Sequence, residues 1–94
     1  KVYQLEQLDS RIPQLLNINP DVLIITGDHA TPAIMGSHSW HDVPIMIHSP
    51  LTLGDGIEAF TEDNCISGSI GRIPAVNVMM TALAYAGKLN KFGP

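Results

Sequence analysis

Residues 21 to 32 read Asp21-Val22-Leu23-Ile24-Ile25-Thr26-Gly27-Asp28-His29-Ala30-Thr31-Pro32. This stretch combines the clearest strand pattern of the chain with its first candidate site residues. A short apolar run rich in Val and Ile, ended by a glycine, predicts a buried, parallel strand of an α/β sheet. Ligands of open α/β sheets bind outside the carboxyl ends of the strands. Asp28 and His29 follow such an end, so they are candidate site residues.

Two more imidazoles follow His29 at distances of nine and twelve residues, in Ser37-His38-Ser39-Trp40-His41. A carboxylate combined with imidazoles suits Zn, Mn, Fe or Co, whereas all-oxygen sites suit Mg and Ca. The spacing leaves two interpretations open, a metal site or a polar turn after a strand. Neighbouring side chains of a regular strand point to opposite faces, so Asp28 and His29 can share a cation only if they lie in a loop.

The composition places the chain among folded globular proteins. The 94 residues make at most one small domain, and the 45% hydrophobic and 15% charged residues argue against disorder. The net charge of −4, with five Lys and Arg and no basic cluster, argues against nucleic-acid binding and against an anionic membrane surface. No apolar run reaches the roughly 20 residues that a membrane-spanning helix needs. The single Cys65 allows no internal disulfide, which fits a cytoplasmic protein.

The hydrophobic pattern predicts an order of helix, strand, strand, helix. The expected segments are a helix over residues 2–17, strands over 22–26 and 43–48, a turn over 31–36, a short helical piece over 57–61 and a helix from Pro74 to Ala86 ended by Gly87. Val78, Met79, Leu83 and Ala86 are expected to face the core. This order resembles the tail of an α/β layered domain. Because the chain begins at Lys1 within the first helix, we expect a piece of a larger protein.

Residues 21–32 and Ser37-His38-Ser39-Trp40-His41-Asp42-Val43-Pro44 together closely resemble the C-terminal part of the 2,3-bisphosphoglycerate-independent phosphoglycerate mutases, archaeal-type branch. That family belongs to the alkaline phosphatase superfamily. Gly71-Arg72-Ile73-Pro74 and Leu89-Asn90-Lys91-Phe92-Gly93 resemble the tail of the same branch. The resemblance implies that residues 1–94 are the C-terminal segment of a metal-binding, three-layer α/β/α domain.

The resemblance also implies two divalent metal ions, with manganese first and magnesium, cobalt or zinc as alternatives. Asp28 and His29 match the pair on the metal that also holds a serine nucleophile. His38 matches the ligand of the second metal, and His41 is kept as an alternative ligand or a residue beside one. Arg72 precedes a helix N-terminus, where a phosphate could dock, although a solvated or ion-paired arginine is the simpler interpretation.

The implied activity is the interconversion of 3-phosphoglycerate and 2-phosphoglycerate, in glycolysis and gluconeogenesis, through a phosphoserine intermediate. The family's serine nucleophile and its other metal ligands have no match here, so the 94 residues alone are expected to be inactive. Two alternatives remain. One is another metalloenzyme of the superfamily, such as a phosphatase, phosphopentomutase or phosphonate hydrolase. The other is a non-catalytic metal-binding or dimerising module, and a homo-oligomer is compatible with either.

Overall fold

The computed structural model describes residues 1–89, which form a mixed arrangement of helices and strands in agreement with the predicted α/β class. Helix α1 (Val2–Asn17) leads to strands β1 (Leu23–Thr26) and β2 (Ile45–His48), and helices α2 (Glu62–Ile66) and α3 (Val78–Tyr85) follow, the last preceded by a 3-10 turn at Ala75–Asn77. No helix in this range is long and apolar enough to cross a membrane. The tail residues Asn90 to Gly93 lie outside the described range.

Helix α1 confirms the helix predicted over residues 2–17 and continues through Pro13. It ends where Asn19 adopts a left-handed φ of 60°, a conformation that asparagine tolerates better than most residues. Its apolar stripe is largely open to solvent, with Leu5 59% and Leu8 46% exposed. Helix α1 is therefore continuous although no other part of the described residues covers most of its apolar side.

The two strands pair with each other in antiparallel register, with Leu23 opposite His48 and Thr26 opposite Ile45. The predicted parallel arrangement is therefore wrong for this pair. A parallel pair needs a crossover connection, usually a helix, whereas the segment between these strands holds only turns and doubles back. At the end of the pair that the connecting segment joins, the Thr26 hydroxyl donates to the Pro44 carbonyl over 2.9 Å.

The described residues contain no fully buried apolar side chain, and the residues of β1 are half-buried or exposed. The predicted burial of β1 is thus wrong for this part of the chain. The accessible surface of the whole chain, 7714 Å², exceeds the roughly 5300 Å² that size scaling gives for a compact protein of 10.2 kDa. The elements therefore leave much of their apolar surface uncovered.

Ser49 is the one buried polar side chain in the described residues, at 3% exposure. Its hydroxyl donates to the Tyr85 carbonyl over 2.7 Å and accepts the Leu51 N–H over 3.0 Å. The bond to Tyr85 joins the residue after β2 to the end of α3, and the bond from Leu51 is local to the loop that follows β2. In the absence of a buried apolar core among the described residues, this contact and the pairing of β1 with β2 link the elements.

The short helix lies later than predicted, because the segment 57–61 is not helical and α2 begins at Glu62. The Thr61 hydroxyl accepts the Asn64 N–H over 3.1 Å and so caps the helix at that point. The last helix confirms the later part of the segment predicted from Pro74 to Ala86, because α3 begins at Val78 after the 3-10 turn and Gly87 follows it with a φ of 75°. Met79 is exposed rather than facing the core.

Candidate metal centre

The predicted metal ligands and His41 lie in the segment between the strands, residues 27–44, which we call the site loop. Beyond β1 an isolated antiparallel bridge pairs Ala30 with Ser39, and the Ser39 N–H donates to the Ala30 carbonyl over 2.9 Å. Continuing that register places Thr31 opposite His38. The bridge therefore sets the two halves of the site loop side by side.

A tight turn reverses the site loop between these two halves. The N–H groups of Met35 and Gly36 both donate to the Pro32 carbonyl, over 3.1 and 3.0 Å. Gly36 adopts a φ of 64°, which glycine reaches without a side-chain clash. The predicted turn over 31–36 is confirmed, and it returns the chain so that His38 reaches His29.

The structure brings together the three residues predicted as metal ligands. The ring centroids of His29 and His38 are 3.7 Å apart, with the ring planes inclined by 49°. Asp28 Oδ1 lies 3.6 Å from His29 Nε2. Both residues follow the last residue of β1, so the strand geometry that separates neighbouring side chains does not apply to them.

Thr31 joins the two imidazoles. Its Oγ1 lies 3.1 Å from Nδ1 of His29 and 3.1 Å from Nδ1 of His38. The sequence reasoning missed Thr31, although its position two residues after His29 was a usable signal, because residues i and i+2 of an extended segment share a face. The Thr31 hydroxyl therefore contacts both imidazoles of the His29–His38 pair.

His41 has different partners. Its Nδ1 lies 2.8 Å from the Ser39 hydroxyl, and its ring stacks on Trp40 with centroids 4.3 Å apart and planes 13° from parallel. The structure thus groups His38, rather than His41, with His29.

Arg72 forms an ion pair across the site loop. Its Nε donates to Asp42 Oδ2 over 2.8 Å, with the two side chains 83% and 63% exposed. This is the ion-paired arrangement that the sequence left as the simpler interpretation. A phosphate contact by Arg72 stays a prediction.

An open groove of about 1460 Å³ runs beside the site, and its walls include Asp28, His29, His41 and Arg72. Enclosed ligand pockets usually measure about 300–1,000 Å³, so this feature is a wide groove rather than a closed pocket. Asp55 also lines it. The backbone N–H of Ser69, and then that of Ile57, hold the pKa of Asp55 below its ordinary value by hydrogen bonding to the carboxylate.

The donor chemistry fits part of a divalent metal site. Two ligands of one tetrahedral cation, bound at about 2.0–2.2 Å, lie about 3.4 Å apart. The 3.6 Å between Asp28 Oδ1 and His29 Nε2 is close to that spacing. No group of three or more His, Cys, Asp or Glu within residues 1–89 could hold a metal by itself. These residues therefore fit as a partial ligand set that further donors would complete.

Comparisons with known proteins agree with this chemistry. The metalloenzyme superfamily model matches residues 1–85. The chain is 52% identical over 93 residues to probable 2,3-bisphosphoglycerate-independent phosphoglycerate mutases of Aquifex aeolicus and Thermotoga maritima, and 45% identical to that of Thermus thermophilus. Each match covers 99% of the chain but 23% of the relative, so the chain spans about a quarter of their length. No solved structure matches the chain significantly.

Proposed function

This chain belongs to the metalloenzyme superfamily, and we propose that it is the C-terminal segment of a cofactor-independent phosphoglycerate mutase. The observation that carries the proposal is the 52% identity over 99% of the chain to relatives bearing that name. Residues 1–94 would then complete a three-layer α/β/α metal-binding domain. The whole enzyme would interconvert 3-phosphoglycerate and 2-phosphoglycerate through a phosphoserine, as part of glycolysis and gluconeogenesis in the cytoplasm.

In this proposal Asp28 and His29 hold one divalent cation and His38 holds the second. The 3.6 Å between Asp28 Oδ1 and His29 Nε2 and the 3.7 Å between the two imidazole centroids support this assignment. The separate partners of His41 favour His38 over His41. The preferred metal is Mn²⁺, with Mg²⁺, Co²⁺ or Zn²⁺ as alternatives. When bound, the cations supply positive charge that stabilises the oxygens around a transferred phosphoryl group.

The residues of this chain would hold the metal ions and would not supply the nucleophile. Asp28 brings a carboxylate to the groove, and His29 and His38 present imidazole nitrogens beside it. The serines of this chain lie outside the sequence context of the family's nucleophile, and the Ser39 hydroxyl lies 2.8 Å from His41 Nδ1. We therefore expect no mutase activity from the 94 residues alone, and turnover by the purified chain would contradict this.

The testing experiment uses the complete protein that contains this segment. Conversion of 3-phosphoglycerate to 2-phosphoglycerate is followed without added 2,3-bisphosphoglycerate, and bound metal is measured by elemental analysis. Asp28→Asn and His29→Ala are expected to lose both activity and metal. His48→Ala is the matched control, because His48 lies exposed at the far end of β2, opposite Leu23. Full activity of the two site variants would overturn the assignment.

Two other functions give different results in the same assay. Release of inorganic phosphate from 3-phosphoglycerate, with no 2-phosphoglycerate formed, would indicate a phosphatase of the same superfamily. A protein without phosphoglycerate chemistry, whose stability rises with protein concentration, would indicate a dimerising module. The exposed apolar side chains are the observation that favours a dimerising module as the second candidate function.

A further inference from the structure

We infer that Thr31 is a shared positioning residue, whose hydroxyl orients the imidazoles of His29 and His38 so that both present Nε2 to divalent cations. This role rests on the proposed function, because it assumes that both histidines are ligands. The geometry that carries it is the Thr31 Oγ1 atom, placed 3.1 Å from Nδ1 of each ring.

The chemistry of a neutral imidazole explains why this hydroxyl matters. One ring nitrogen carries the proton and donates, while the other has the free lone pair that a cation needs. A threonine oxygen has two lone pairs and can accept a Nδ1–H from each histidine at once, which is the arrangement inferred here. Both Nε2 atoms are then unprotonated and free to bind metal. A hydrogen bond to the ring nitrogen that does not bind the metal fixes the tautomer and ring orientation of a metal-binding histidine.

The position of Asp28 agrees with this arrangement. Its Oδ1 lies 3.6 Å from Nε2 of His29, on the nitrogen opposite the one that faces Thr31. The same ring is thus held at Nδ1 by a hydroxyl and meets a carboxylate at Nε2. A cation binding there would have the carboxylate and the free imidazole nitrogen as neighbouring ligands.

The backbone around Thr31 holds its hydroxyl in place. The Ala30–Ser39 bridge sets Thr31 opposite His38, and Lys1 Nζ donates to the Thr31 carbonyl over 2.9 Å. Thr31 is also β-branched, which restricts its χ1 rotation. Serine keeps the hydroxyl without the branch, and valine keeps the branch without the hydroxyl. These two substitutions therefore separate the hydrogen bond from the packing.

The test measures metal affinity in the complete protein by competition with a chelator, using Mn²⁺ and Zn²⁺ as probes. Thr31→Val is expected to bind metal about 10–100-fold more weakly, the usual loss for an outer hydrogen-bond partner. Thr31→Ser should recover most of the affinity. Thr81→Val is the matched control, because Thr81 bonds to the Asn77 carbonyl in α3. It should leave metal binding unchanged.

A second measurement reads the tautomers directly in metal-free protein. Long-range proton–nitrogen NMR spectra distinguish Nδ1–H from Nε2–H imidazoles. In the parent protein both His29 and His38 are expected as Nδ1–H, and Thr31→Val should shift both toward mixtures. Unchanged tautomers and unchanged affinity in Thr31→Val, with metal lost in His29→Ala, would overturn the role of Thr31 and leave the proposed function standing. Metal retained in His29→Ala would instead overturn the proposed function itself.

Discussion

Helix α1 has regular structure but an uncovered apolar side, whereas the site loop is irregular but several of its polar side chains are paired. Helix α1 is sixteen residues of continuous helix, yet its apolar stripe is open, with Leu5 more than half exposed. The site loop has almost no regular structure, yet its polar side chains are paired. Thr31 contacts two histidines, Ser39 contacts His41 and Asp42 contacts Arg72.

The difference indicates where each region obtains its order. The site loop is shaped locally, by a tight turn at Gly36, a backbone bridge and short side-chain hydrogen bonds. Helix α1 requires an apolar partner surface, since most helical stability in proteins comes from packing of an apolar face. If the chain is a segment of a longer enzyme, the site loop carries its own geometry, whereas α1 depends on the remaining residues.

The largest effect is expected inside the site loop, between His38 and His41. In the complete protein, His38→Ala should weaken metal binding by more than about 100-fold, beyond the range for outer partners, because it removes a direct ligand. His41→Ala should change the affinity less, since its Nδ1 lies beside Ser39 and its ring stacks on Trp40. Calorimetric titration with Mn²⁺ measures both. A larger loss in His41→Ala would reverse the assignment.

The second effect concerns the partner surface of α1. Leu8→Asp in the complete protein should lower the free energy of unfolding by about 2–3 kcal/mol, the usual value for burying a leucine side chain. Gln7→Asp is the matched control, since it adds the same charge on the polar side of the helix. Urea unfolding measures both variants. Equal effects of the two substitutions would mean that the leucine stripe stays open in the longer protein as well.

The Arg72–Asp42 pair should matter less, because both side chains are exposed. A double-mutant cycle with Arg72→Ala and Asp42→Ala is expected to give a coupling energy of about 0.2–1 kcal/mol that fades at high salt. The same variants test the predicted phosphate contact. A raised KM for 3-phosphoglycerate in Arg72→Ala but not in Asp42→Ala would mean that Arg72 binds the phosphate. Equal KM values would confine it to the ion pair.

Much of this structure could be predicted from residue patterns because the relevant signals are local. The leucine spacing of α1, the Val and Ile run of β1, and Pro74 with Gly87 around α3 each act within a few residues. The antiparallel pairing of β1 with β2 and the open surface of β1 could not be read in the same way, because strand direction and burial depend on contacts distant in sequence. The start of α2 was missed because the Thr61 cap was overlooked.

The residues of the candidate site also differ in whether they could be predicted from local sequence signals. Asp28, His29 and His38 could be named from their residue types and the resemblance, and the structure places them together. The contact of Thr31 with His38 and the choice of Asp42 as the partner of Arg72 could not be predicted, since each depends on how the site loop folds back. Whether the three predicted ligands bind metal stays a prediction that the variants above test.

The smallest effect is expected at Asp55, which ties the segment before α2 to the one after it. Hydrogen bonds from the Ser69 and Ile57 N–H groups lower its pKa from the ordinary 3.8. A carboxylate with a lowered folded-state pKa adds stability above pH 3.8, which is lost as the pH falls through the lower value. Hydrogen exchange at the Ser69 amide should therefore show protection at neutral pH that declines in acid. Asp55→Asn should start with less protection and depend less on pH, because its amide stays uncharged; an unaltered acid decline would assign the effect to another group. Asp63→Asn, on α2, is the matched control and should behave as the parent.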